Sequence, residues 1–530
     1  MKNSKKTLLT LLAVAINCAV QTAAAETVLR RGNGTEPKGI DPQTSEGTAE
    51  ANIMRDLFEG LLARDRDTKL IPGVAEKWEI SEDGKTYTFH LRDTQWSDGT
   101  PLTAEDFVYA WQRDVNPATG GKYSFLLYPV KNAQALTEGQ NKDLNQLGIK
   151  ALDARTLQIE LEASTPYFLE ILAHASTYPV PRHIVEKHGK NWTRPENIAT
   201  NGAYTLKNWQ PNAHMTLNKS GTYWDKGNVK IDQVIYYPTE DKNTELQRYR
   251  AGELDMTYEI PLDQIKWIRE NLKDELAIGP YLGTYFYGYN ITRAPFKDNP
   301  KLREALTLAI DRDVITDKVT GAGEKPTYSF VAPGINGYDN YVPEYASLDK
   351  AARIEKAKKL YEEAGYGKDK PLKVDLLYNT SENHKKIAVA VAAMWKQNLG
   401  VQTNLTNQEW KVFLTTRTEK KQTEAFRAGW IGDYNDAYSF LELFQSKSGL
   451  NDSGYASEKY DALLAQAAQE QDMAKRAAIL KEAEKMLTDD YPVAPIYSYV
   501  TKRLVKPYVK GYADENVMDH RSSKYMWIEK

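Results

Sequence analysis

Leu372-Lys373-Val374-Asp375-Leu376-Leu377, then the run from Lys385 to Asn398, then Val401-Gln402-Thr403-Asn404-Leu405: this order decides the fold class. The first and third segments are short and rich in branched aliphatic residues, as strands are. The middle one carries an Ala/Val/Met/Trp face at helical spacing, with Lys and Gln opposite. Strand, helix, strand is βαβ order, and it predicts an α/β chain.

Working outward, Trp78 to Arg92 reads as strand, turn, strand. Ser81-Glu82-Asp83-Gly84-Lys85 forms the turn, and Tyr87, Phe89 and Leu91 alternate with Thr88 and His90. Thr103-Ala104-Glu105-Asp106 opens an amphipathic helix carrying Phe107, Val108 and Trp111, with Thr103 at the N-cap. Ser457 to Leu487 predicts two helical stretches that cover a sheet, with no clean heptad to suggest a coiled coil. No internal repeat or low-complexity tract interrupts the chain.

The first residues bound the compartment. Lys2, Lys5 and Lys6 precede an apolar run from Thr7 to Val20, and Ala23-Ala24-Ala25 follows. That is the pattern of a secretory signal peptide over residues 1–25, cleaved after Ala25, and the apolar run is too short for a permanent membrane span. Cys18, the one cysteine, lies inside it. Its reading as a lipid-anchor site is opposed by Asn17, where a small residue is wanted, so a soluble periplasmic chain without thiols is expected. Removing the three lysines takes the formal charge from −3 to −6. Both signs are mixed throughout, which argues against a nucleic-acid partner. With 41% hydrophobic residues, 33 Tyr and 11 Trp, the chain can bury large cores, and its 530 residues suggest several domains.

The common catalytic signatures (a G-x-S-x-G elbow, a phosphate loop, a dinucleotide fingerprint, an H-E-x-x-H helix) are absent. His183 and His188, the closest histidine pair, stand five apart and do not share a helical face. Neither a metal nor a cofactor is called for.

Arg55-Asp56-Leu57-Phe58-Glu59-Gly60-Leu61, Pro72 to Trp78, Thr88 to Arg92 and Trp96-Ser97-Asp98-Gly99-Thr100-Pro101 closely resemble the extracytoplasmic peptide-binding proteins of ABC importers, solute-binding family 5. The match continues through Asn201-Gly202-Ala203-Tyr204, Tyr249 to Asp255, Arg303 to Asp311, Tyr378-Asn379-Thr380-Ser381, Asn407-Gln408-Glu409-Trp410 and Arg427-Ala428-Gly429-Trp430. The resemblance implies a non-enzymatic binder of the oligopeptide or murein-tripeptide type. Its expected fold is a two-lobe, type II periplasmic binding protein with an extra third domain, closing by hinge over its ligand. Lobe one would be residues 26–58, 183–282 and 501–530, the extra domain 59–182, and lobe two 283–500. A monomer is expected, taking peptides of about two to five residues to an inner-membrane ABC permease complex and recognising them chiefly through main chain and termini.

Carried over by motif, Asp433 would receive the peptide's ammonium, although by itself it reads as a turn aspartate before Asn435-Asp436. Arg427, Arg417 and His384 would face the peptide's carboxylate. Arg427 also stands out unaided, as the one charge in an apolar strand where an unpaired charge is costly. Trp410, Trp430, Tyr123 and Tyr499 would wall pockets, and Gly429 with Glu46, Gly47 and Thr48 would meet the peptide backbone. Gly429 suits that role because no side chain intervenes. Two positions depart from the family pattern: Thr320 stands where a lysine can occur, and Gly283 with Ile431 where a disulfide can. The first leaves a narrower, murein-tripeptide ligand open. An exported peptidase would need a nucleophile or metal beside the peptide, and a chaperone would leave both termini of its client outside the protein.

Overall fold

The computed structural model describes residues 26–335 and 337–529. Residues 1–25, with the predicted export signal, its cleavage point and Cys18, lie outside them, and so does the side chain of Trp410. The βαβ reading holds. Strands Lys373–Asn379 and Gln402–Gln408 are parallel neighbours, Val374 opposite Thr403 and Leu376 opposite Leu405. Helix Glu382–Leu399 joins them, burying Ile387, Ala388, Val391, Trp395 and Leu399 along one stripe. Gly400, at φ 75°, ends it in the left-handed conformation that glycine adopts without strain. Trp395 Nε1 donates to the Leu306 carbonyl at 2.9 Å, which satisfies the ring's polar atom inside the core. The second strand runs past Leu405 to Gln408, because its pairing with Tyr378 and Asn379 continues after the apolar alternation stops.

These strands form one side of a six-stranded mixed sheet, ordered Lys325–Pro326, Val493–Leu504, Leu276–Tyr289, Ala425–Ile431, Lys373–Asn379, Gln402–Gln408. Both faces are covered. Tyr285, Tyr289 and Leu376 pack with Val391 and Trp395 on one, and Phe286 and Phe426 with Phe330, Phe440 and Leu464 on the other. The two helices expected between Ser457 and Leu487 are Glu458–Gln469 and Met473–Asp490, and both contribute to the second core.

Elsewhere, Val28–Gly32 runs parallel to Gln233–Tyr237, followed by His214–Lys219 and Tyr204–Gln210 in a four-stranded sheet. The predicted hairpin is Ala75–Ile80 with Thr86–Leu91, Trp78 opposite Phe89, in a second four-stranded sheet with Thr156–Glu160 and Ile149–Asp153. Helix Ala104–Val115 starts after Thr103, whose backbone N–H donates to the Asp106 carboxylate at 2.8 Å. One apolar core runs through both sheets, taking Leu29, Leu217 and Val234 from the first and Phe89 and Leu157 from the second.

Two long strands connect these parts to the six-stranded sheet. Leu276–Tyr289 and Val493–Leu504 pair from Leu276 opposite Leu504 to Gly288 opposite Val493, with a register shift between Pro280 and Thr284. Leu504 and Leu276 sit against a small core of Leu246, Tyr249, Leu254, Ile260 and Ile268. Away from the strands, Tyr167 reaches into the core of the six-stranded sheet. It stacks on Tyr434 and Tyr438 with ring centroids 5.3 and 5.0 Å apart. Among the described residues no helix is long and apolar enough to cross a membrane.

Candidate binding site

The site is built around strand Ala425–Ile431. On one side it pairs along its whole length with Leu276–Tyr289, from Tyr289 opposite Ala425 to Gly283 opposite Ile431. On the other side it pairs with Lys373–Asn379 only at Ala425 and Phe426. From Arg427 to Ile431 this second edge has no strand partner among the described residues, so a row of main-chain donors and acceptors is left open. Gly429 sits in the middle of that row. A Cβ there would come within 2.4 Å of the Tyr499 hydroxyl, so the close approach of strand and tyrosine requires glycine. Gly283 and Ile431, the pair that replaces the family disulfide, are register partners in direct contact.

Arg427 marks one end of the open edge. It is 8% exposed. Its Nη2 donates to the Tyr499 hydroxyl at 2.6 Å and its Nη1 to Asn379 Oδ1 at 3.3 Å, and the guanidinium lies over the Tyr285 ring at 4.7 Å. Its Nε is buried without a partner, and no carboxylate pairs with it among the described residues. His384 lies beside it, against Tyr285. Burial first, then the charges of Arg427 and Lys242, holds the imidazole well below its usual pKa, so it is neutral at neutral pH. Arg417 is arranged differently. Its Nε stands 2.5 Å from Asp452 Oδ2, a close ion pair off the line of a good hydrogen bond.

Asp433 marks the other end, two residues beyond the strand. Its backbone N–H donates to Ser439 Oγ at 2.9 Å, while carboxyl Oδ2 is closed off from water without a partner. The residue is half-buried. Burial alone pushes its pKa up to about 7. Glu442 is nearby, pushed to about 8 by burial and then by the Asp433 charge.

Glu46-Gly47-Thr48 comes from a separate segment of the chain. Burial raises the Tyr123 hydroxyl pKa, and the charges of Asp433, Glu46 and Glu50 raise it further, so all three acids lie within electrostatic reach of that hydroxyl. Gly47, at φ 111°, precedes helix Thr48–Leu57. The backbone N–H groups of residues 46–48 donate to no acceptor among the described residues, as the first groups of a helix do when nothing caps them. The Glu46 carboxylate is partly exposed, 3.7 Å from Lys38 Nζ, and Thr48 Oγ1 is 2.5 Å from the Tyr258 hydroxyl. Trp430 is held by its Nε1 donating to the Ser439 carbonyl at 2.8 Å. With Arg417, Gly429, Phe286, Phe426 and Leu443 it lines a small cavity of about 40 Å³. Trp410 opens helix Trp410–Glu419, but its side chain lies outside the described residues.

Arg427, His384, Gly429, Tyr499, Trp430 and Asp433 are thus brought together along one edge, and the charges of Asp433 and Glu46 both reach Tyr123. Sequence reasoning missed Tyr285, Glu442, Ser439 and Glu50. Asn379 was within reach, in the quoted Tyr378-Asn379-Thr380-Ser381, whereas Glu442 and Ser439 carry no local signal.

A family model for bacterial extracellular solute-binding proteins, family 5, middle part, matches residues 69–452. The periplasmic oligopeptide-binding protein OppA of Escherichia coli K12 is 45% identical over 513 residues, covering 96% of this chain and 94% of that protein. The structure of the Escherichia coli murein tripeptide binding protein MppA superposes with a TM-score of 0.89 at 39% identity, covering 96% of this chain and 99% of that one. The unliganded open form of MppA gives only 0.76 at 40% identity, covering 95% and 98%. The conformation described above is therefore farther from that open form.

Proposed function

This chain belongs to family 5 of the bacterial extracellular solute-binding proteins, and from that premise we propose that it binds short peptides, of about two to five residues, in the periplasm and delivers them to an inner-membrane ABC permease. It catalyses no reaction and acts as a monomer, exported by a signal peptide cleaved after Ala25. Residues 26–58, 183–282 and 501–530 act as one lobe, 283–500 as the other, and 59–182 as the extra domain. The two strands between the lobes serve as the hinge.

The carrying observation is the open edge Arg427–Ile431, flanked by a carboxyl group without a partner at Asp433 and by a cation without a carboxylate at Arg427. A peptide lying along that edge adds a strand to the sheet, so its main-chain hydrogen bonds are made whatever its side chains are. Its ammonium reaches Asp433 and its carboxylate reaches Arg427. Both charges are then paired out of water, where an ion pair is worth more than at a surface. Glu46 to Thr48 and Tyr123 close over the outer edge.

Native mass spectrometry of protein purified without denaturation tests the breadth of this reading. A ladder of co-purified peptide masses is expected. A single mass would mean a narrow ligand such as a murein tripeptide, and failure of trialanine to bind the stripped protein would overturn peptide binding itself.

A further inference from the structure

A second cavity, of about 380 Å³, shares no lining residue with the peptide site. It lies where two helical segments begin. Asp311 accepts from the Val314 N–H at 3.2 Å ahead of Arg312–Val314, and Asp349 accepts from the Ala352 N–H at 2.8 Å ahead of Lys350–Glu363. Arg353, in the first turn of the longer helix, lines the cavity and is 4% exposed. Its backbone N–H donates to the Asp349 carbonyl, but none of its guanidinium donors meets an acceptor among the described residues, and Nε is shut off from water without a partner. Asp311, the carboxylate that feels this charge, is already held by Lys350 Nζ at 2.7 Å.

A guanidinium presents its donors in a planar fork, and here Nε is shut in without an acceptor, which is costly, while the Nη groups are left to meet what enters the cavity. The acceptor whose shape matches the fork is a carboxylate, bound by two parallel hydrogen bonds. The rim adds the opposite charge. Asp313 and Asp317, one helical turn apart, line the cavity, are exposed, and form no ion pair among the described residues. With Asp311 and Asp349 they make four lining acids against three lining cations, Lys318, Lys350 and Arg353, a balance that disfavours a phosphate and leaves room for an ammonium. Tyr328, Val314 and Leu348 supply an apolar wall.

We propose that this cavity is a second ligand site, for a free apolar α-amino acid. Arg353 takes the carboxylate, Asp313 and Asp317 take the ammonium, and the Tyr328–Leu348 wall takes the side chain. The site does not depend on the peptide reading.

The test is calorimetric titration of the stripped full-length mature protein with L-leucine, with 4-methylpentanoate, which lacks the ammonium, and with isopentylamine, which lacks the carboxylate. Each is run with and without saturating trialanine. L-leucine is expected to bind both ways, and each half-ligand at least about tenfold more weakly. Arg353→Met should weaken L-leucine at least about tenfold. The exposed Asp313→Asn/Asp317→Asn double variant, which leaves the core untouched, should erase the preference for L-leucine over 4-methylpentanoate even if the arginine variant does not fold. No L-leucine binding, equal binding of L-leucine and 4-methylpentanoate by the parent protein, or displacement of L-leucine by trialanine would each overturn the proposal.

Discussion

Within one stretch of chain, two arginines and two aspartates are treated in opposite ways. Asp436 is buried and takes both Arg476 Nη1 at 2.6 Å and Arg476 Nη2 at 2.9 Å, and Arg417 meets Asp452 at 2.5 Å. Asp433, three residues before Asp436, has a carboxyl oxygen with no partner, and Arg427, in the next strand after Arg417, has no carboxylate. Every one of these groups is drawn from water. Where the opposite charge is built in, the pair is architecture that holds helix Met473–Asp490 against the turn after the strand. Where it is missing, the proposed peptide would supply it through its termini, and the two unmet groups lie at the two ends of an open sheet edge. Burial of a charge says little by itself. What distinguishes a site from a strut is whether the charge is answered.

The largest expected effect comes from breaking the answered side. Arg476→Met leaves Asp436 buried and alone, and should cost about 3–5 kcal/mol of folding stability, the range for removing one partner of a buried pair. Denaturant unfolding of the ligand-free variant should show a lower midpoint. Its affinity for trialanine, measured where it remains folded, should fall much less. An affinity loss as large as the stability loss would mean that Asp436 and Arg476 belong to the site.

The unanswered side should behave in reverse. Asp433→Asn keeps the shape and one oxygen but removes the charge, so affinity for free peptides should fall by about 2–5 kcal/mol, while the empty protein, relieved of a buried carboxylate, should unfold at the same or a higher midpoint near pH 7. N-acetylated peptides lack the ammonium and should bind the parent poorly, with little further loss on mutation. Arg427→Met should act likewise on the other terminus, sparing C-terminally amidated peptides. The difference between free and capped peptides is a double-mutant cycle with the ligand as one partner. A coupling energy of zero at Asp433 would return it to the role of a turn aspartate.

Much of the fold could be read because a strand buried on both faces writes itself as an apolar run, as Leu372 to Leu377 does, and a helix over it as a stripe, as Ile387 to Trp395 does. The charge contrast could not. Asp433 and Asp436 stand in the same turn and look alike in sequence, and the arginine that separates them lies 40 residues away. The open edge depends on where Lys373–Asn379 stops pairing, at Phe426, which no periodicity marks. His384 reads as a titratable surface residue until the fold buries it within reach of the Arg427 and Lys242 charges, which come from distant segments. The resemblance supplied Arg417 and Arg427 alike as residues facing the carboxylate, and only the fold brings Asp452 beside the first.

The smallest expected effect, and the sharpest on Asp433, is in pH. With its pKa pushed up to about 7 by burial, the empty site is largely protonated at pH 6, whereas the unfolded chain has lost that proton above the ordinary aspartate range. Sign follows from proton counting. Between about pH 4 and 7 the folded state binds more protons than the unfolded one, so this group makes the empty protein less stable as pH rises, by up to about 1.4 kcal/mol per pH unit. A bound ammonium requires the charged carboxylate, so peptide binding at pH 6 should expel about one proton, and affinity should rise about fivefold between pH 6 and 7. It should fall again once the peptide's amino group, near pKa 7.7–8.0, loses its own proton. Glu442 is the neighbour that shares this range, pushed up to about 8 by burial and then by the Asp433 charge, whereas Tyr123 is raised above its ordinary range and His384 at the far end of the edge is already neutral. Calorimetry at pH 6 in buffers of different ionisation heat counts the released proton directly. Asp433→Asn, or an N-acetylated peptide on the parent protein, should abolish the release. A release that survives in Asp433→Asn would assign the proton to another group, and the ammonium with it.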